Sequence, residues 1–145
     1  MRINVDDVVG DLLRVIEDRT CAPHIGRWID DRVVAVLGSP GNQVSTRMAF
    51  GMSALPAGVK TPSHSHEAEE LAVVLHGRGV ITVGDSDHSV SAGDVVVAGP
   101  WAPHVTTASL DDAMVVMWVY APPGSESRWL DMESNKGRSD RLPHG

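Results

Sequence analysis

The sequence predicts an all-β domain, a sandwich or barrel of short strands, preceded by one short helix. Between about residues 27 and 120 the chain is a series of strand-length apolar runs cut by Gly, Pro, Asn, Asp and Ser. No second long helical pattern follows the first. The length, 145 residues with 42% hydrophobic and 21% charged, suits one globular unit that buries a core without disulfides.

The helix comes first. Val8, Val9, Leu12, Leu13, Val15 and Ile16 recur at the spacing of one helical face, predicting a helix over Val5 to Arg19. Asn4 or Asp6 is placed to cap it, and Gly10 inside it costs about 1 kcal/mol. The texture changes after Pro23. Expected strands are Val33 to Leu37, Thr46 to Ala54, Glu70 to Leu75, Val80 to Val83, Val95 to Ala98 and Met114 to Tyr120. The chain thus divides into an N-terminal helical and irregular extension (1–26), a β domain (27–130) and a polar tail (131–145).

Charge and cysteine content exclude several classes. The formal net charge is −7, and Lys and Arg form no basic stripe, so nucleic acid and anionic membrane surfaces are not expected partners. One cysteine, Cys21, forms no intrachain disulfide and no Cys-x-x-Cys pair. No apolar run approaches the roughly 20 residues of a membrane helix. The start, Met1 to Asp7, has no apolar leader, so a cytoplasmic location is expected.

The informative stretch runs from Gly58 to Glu70. His64 and His66 are two apart, so an extended backbone turns both rings to one face, and Glu70 keeps that parity. Imidazole nitrogen and carboxylate oxygen suit a first-row divalent metal. His104, after the run Val95 to Ala98 and next to stiffening prolines, is the fourth candidate.

At these residues the sequence resembles the cupin superfamily. Its first motif is Gly, five residues, His-x-His, three or four residues, Glu, six residues, Gly; here Gly58, His64, His66, Glu70 and Gly77 satisfy it. The second motif is Gly, five residues, Pro-x-Gly, two residues, His, three residues, Asn. Gly93 and His104 stand at the required separation, but Gly99 replaces the proline, Trp101 the glycine and Ala108 the asparagine. The resemblance implies a jelly-roll barrel, the double-stranded β-helix, with His64, His66, Glu70 and His104 binding one divalent transition metal inside its wide end. The ion would be Fe, Mn, Ni, Zn or Cu. It also implies a homodimer with N-terminal strands at the contact. Val33 to Leu37 is the candidate edge or interface strand, and Trp28 and Trp129 are candidate anchors.

Three neutral imidazoles and one carboxylate leave a divalent ion with net charge about +1 and, in an octahedral arrangement, two adjacent open positions. The expected function is a metal-dependent enzyme on a small organic substrate, by dioxygenase-type chemistry or by Lewis-acid isomerisation, cyclisation or elimination. The alternative is a non-catalytic metal- or ligand-binding module. Arg47, Trp101, Met117, Trp118 and Tyr120 are the candidate pocket residues. Trp101 is a candidate wall of the pocket mouth or a plug of the barrel edge. On the last strand, Met114, Val116, Trp118 and Tyr120 share one parity and Val115, Met117 and Val119 the other, and both sets are apolar enough to face the interior. His24, His76 and His88 read as surface or structural, His76 in a hairpin turn.

Overall fold

The computed structural model describes residues 1–21 and 24–127. Trp129 and the tail 131–145 lie outside the described residues.

Helix α1 spans Val5–Asp18. Asn4 caps it, its side-chain oxygen accepting the Asp7 N–H at 3.0 Å. Arg19 closes it in the left-handed region. Its apolar face buries Leu12, Val15 and Ile16 against Val33, Met52, Ala54 and Val115, and burial of each such side chain is worth about 1.5–3 kcal/mol.

Among the described residues nine strands follow: β1 (Arg27–Ile29), β2 (Arg32–Gly38), β3 (Ala49–Leu55), β4 (Glu69–His76), β5 (Arg78–Val83), β6 (Ser86–Ser91), β7 (Val95–Ala98), β8 (His104–Ala108) and β9 (Met114–Ala121). They form a six-stranded sheet in the order β1-β2-β3-β9-β4-β7 and a three-stranded sheet in the order β6-β5-β8. Every pairing between them is antiparallel. Leu55, Val74, Ile81, Val90, Ala108, Met114 and Val116 pack between the two sheets as one core, the two-layer arrangement of a jelly roll.

Two glycines make the geometry possible. Gly77 has φ +78 where the chain crosses from β4 to β5, and a Cβ there would strike the Ala113 carbonyl. Gly51 on β3 lies against the Trp118 indole, and a Cβ would overlap both that ring and the Ala35 carbonyl.

Several expectations need correction. β2 is not an edge strand, since it pairs with β1 on one side and β3 on the other. Trp28 is buried in the core beside α1, its indole N–H donating to the Thr20 carbonyl at 2.7 Å. It is therefore spent within the chain and cannot anchor a partner. The exposed apolar side chains of the large sheet sit at its other edge, on β7 at Val95 and Val97, next to Leu71. His76 is not in a hairpin turn, because β4 and β5 belong to different sheets. Among the described residues, no helix is long and apolar enough to cross a membrane.

Candidate metal centre

His64 and His66 lie not on a regular strand but on the extended stretch before β4. This stretch is lashed to β8 by isolated bridges, Lys60 to Thr107 and His64 to His104. The Thr61 hydroxyl adds to this by accepting the Thr106 N–H at 3.0 Å. Glu70 is carried by the start of β4 and His104 by the start of β8. The four side chains converge, with one potential ligand atom from each lying within 4.8 Å of the others.

The imidazoles are oriented by the backbone. His64 Nδ1 bonds the Pro62 carbonyl at 3.0 Å, His66 Nδ1 the Ala68 carbonyl at 2.8 Å, and His104 Nδ1 the Ala102 carbonyl at 2.9 Å. A carbonyl only accepts, so each Nδ1 carries the proton and each Nε2 presents its lone pair. Such an outer hydrogen bond is what fixes a ligating histidine. His66 Nε2 and His104 Nε2 both stand 3.3 Å from Glu70 Oε1. Lone pairs and a carboxylate facing one another at this range repel unless a cation or a proton lies among them. Ligands of an octahedral ion with bonds of about 2.1 Å stand about 3.0 Å apart side by side and about 4.2 Å apart across. A contraction of a few tenths of an ångström brings the four onto such an ion, so the residues fit a divalent metal.

With no ion bound, a proton on the imidazole Nε2 atoms takes the cation's place: burial works to raise the Glu70 carboxyl, but the hydrogen bonds and charge that His104 and His66 then supply outweigh it. The pKa falls from 4.5 to about 2, and the carboxylate stays ionised.

The centre opens into a cavity of about 40 Å³ lined by Arg32, His64, Glu70, His104, Trp118 and Tyr120, among others. One water needs about 10–15 Å³ of such space, so the cavity holds roughly three. Trp118 and Tyr120, two of the candidate pocket residues, are among its lining. They stack at 4.6 Å, Tyr120 lies 4.9 Å from the His66 ring, and Trp118 donates to the Ser53 hydroxyl at 3.1 Å. Met117 does not reach the cavity. It has the opposite parity and packs on the α1 side of the sheet.

Arg47 does not reach it either. The strand expected from Thr46 begins only at Ala49, and Arg47 lies exposed in the preceding turn. The cation at the cavity is Arg32, 5% exposed, whose guanidinium donates to the Ile29 carbonyl and to Asp30, each at 3.4 Å. A single charge opening the apolar run of β2 was the available signal.

Trp101 is neither a plug nor part of this cavity. It is 64% exposed, with φ +63, a left-handed conformation costing roughly 1–2 kcal/mol for a residue with a Cβ. Its N–H donates to the His66 carbonyl at 2.8 Å. The side chain lines a separate hollow of about 370 Å³ with His66, Pro122 and Pro123.

The family model described as Cupin domain matches residues 51–120, from β3 through the four clustered residues to the end of β9. An RmlC-like cupin protein from Desulfovibrio desulfuricans, of known structure, is 31% identical, with 64% of this chain covering 84% of that one at a TM-score of 0.55. The chain belongs to the cupin superfamily. Among curated relatives of this cupin, gentisate 1,2 dioxygenase 1 of Aquipseudomonas alcaligenes is 26% identical over 133 residues, 77% of this chain and 38% of the relative. An uncharacterized protein of Methanocaldococcus jannaschii is 29% identical over 83 residues, 57% of this chain and 65% of that protein. The chain therefore spans less than two thirds of the length of these curated relatives. The fold of this cupin also matches a point mutant of salicylate 1,2-dioxygenase from Pseudoaminobacter salicylatoxidans, solved in complex with gentisate. There the TM-score is 0.64 at 16% identity, covering 80% of this chain and 31% of that one.

Proposed function

We propose that this cupin is a metal-dependent enzyme acting on a small organic acid, with one divalent ion held by His64, His66, Glu70 and His104. The observation that carries the reading is the joint one. Three imidazoles are held with Nε2 inward beside an ionised carboxylate, and Arg32 lines the same cavity. An ion bound there supplies Lewis acidity toward a substrate oxygen and, if it is iron, redox chemistry toward dioxygen.

The chain's own groups do the rest. Arg32 fixes a substrate carboxylate by charge-assisted hydrogen bonds, its contacts to the Ile29 carbonyl and the Asp30 carboxylate holding the fork in place. Trp118 and Tyr120 form the apolar wall that keeps bulk water from the reacting group. A cavity of about 40 Å³ admits the carboxylate end of a molecule, so the remainder of a larger substrate extends through the mouth.

Of the two chemistries, dioxygenase-type cleavage has the added support of the gentisate dioxygenase relative, whose aligned part is 38% of its length. The test is to load the full chain with ferrous iron and follow oxygen uptake with gentisate and related hydroxy acids. Uptake that depends on metal and on His64 supports the reading. Product formation without uptake selects the Lewis-acid alternative, and binding without turnover selects the binding module. Val95 and Val97 on the open edge of β7 support a homodimer with a second copy covering that edge. Sedimentation of the full chain against a Val95→Lys variant tests it.

A further inference from the structure

The hollow beside Trp101 has no part in the chemistry proposed above, and three independent observations set it apart. Its volume, about 370 Å³, is within the range of small-molecule sites, against about 40 Å³ at the cavity beside Glu70. Trp101 stands where the cupin motif takes glycine, in a left-handed backbone conformation that glycine adopts without strain. A large apolar ring is thus held in a disfavoured conformation and yet left 64% exposed, so neither backbone preference nor core packing accounts for it. Strain of this kind collects at sites of ligand contact. The third observation is charge. Glu67 lines the hollow together with Ser65 and Ser127, and among the described residues no Lys or Arg does.

We propose that this hollow is a second binding site, for an organic cation. An alkylated ammonium group would lie on the Trp101 indole, with the Glu67 carboxylate as its counter-charge. Tryptophan offers the strongest cation–π face of the side chains, and Pro122 and Pro123 line the same hollow. The loop is held firmly enough to present the ring. The Trp101 N–H is bonded to the His66 carbonyl, and the facing turn is pinned by buried Glu126, whose carboxylate accepts the Gly124 N–H at 2.6 Å. His66 is shared between the two, lining the hollow and belonging to the metal-centre cluster.

The probe is choline, titrated calorimetrically into the full chain, with its uncharged tert-butyl isostere as control. Choline is expected to bind in the millimolar range, and the isostere roughly tenfold more weakly. Trp101→Gly and Glu67→Gln should each weaken choline by about the same factor. Trp101→Gly relieves the backbone, so its thermal midpoint should not fall, which separates a lost contact from a damaged fold. The His64→Ala variant, stripped of the proposed metal, should keep its choline affinity, so this site and the proposed enzyme stand or fall separately. The proposal is overturned by no choline binding, equal binding of the isostere, unchanged binding in Trp101→Gly, or loss of binding in His64→Ala. Dissociation of a dimer by Trp101→Gly in sedimentation would do the same, by assigning the indole to a contact between copies.

Discussion

His64 and His104 exchange both of their backbone hydrogen bonds, at 3.4 and 3.0 Å, although they come from distant parts of the chain. Residues so paired across antiparallel strands send their side chains to the same face, and the two rings meet at 4.3 Å. The convergence is therefore set by the main chain. Replacing either imidazole by alanine leaves that pairing in place. We expect His64→Ala and His66→Ala to keep the parent's far-ultraviolet circular dichroism and to lose metal affinity by at least about 100-fold, since even outer partners of a ligand cost 10–100-fold. Elemental analysis of each variant after dialysis checks it.

Arg32 is buried at the cavity and Arg47 is exposed in a turn. The two should therefore differ sharply as variants. Loss of a charge-assisted hydrogen bond costs about 1.5–3 kcal/mol, so Arg32→Met should lower kcat/KM for a carboxylate substrate by roughly 10–100-fold. The same loss should be absent for the corresponding amide. Arg47→Ala should leave both within experimental scatter.

Acid should empty the centre before it unfolds the chain. Metal-bound imidazoles must be deprotonated, so acid is expected to release the metal. In the metal-free protein the Glu70 pKa is depressed to about 2 from 4.5. A depressed carboxyl contributes stability above its unfolded value and loses it as the pH falls through its folded value. The stability gap between parent and Glu70→Gln should thus be full above pH 4.5 and close toward pH 2. Urea melts of the metal-free proteins across that range would measure it.

Gly51 makes room for the Trp118 indole. Overfilling a packed site typically costs about 1–3 kcal/mol, and Gly51→Ala is expected to fall in that range. The displaced indole should also disturb the cavity it lines. A lowered thermal midpoint together with a changed near-ultraviolet spectrum is the expected result.

What could be read from the sequence follows from what each residue's neighbours reveal. The four clustered side chains were legible because the spacing from Gly58 through His64, His66 and Glu70 to Gly77 is itself informative. The short helix was legible from Val8, Leu12, Val15 and Ile16 on one face, although the expected C-terminus ran one residue too far. Met117 could not be separated from Trp118 because β9 is apolar on both faces, one against α1 and one toward the cavity. Arg32 was hidden because Asp30, Asp31 and Arg32 together read as a polar turn. Its burial arises only when β1 and β3 flank β2. The late start of β3 goes with a local turn in which the Ser45 hydroxyl donates to the Met48 carbonyl.

The stack of Trp118 on Tyr120, with Tyr120 against His66, gives the molecule a reporter of its own. Filling or emptying the centre changes the charge a few ångströms from an intrinsic fluorophore, so ion uptake can be titrated by emission without any label. A Trp118→Phe variant identifies which of the four indoles carries the signal.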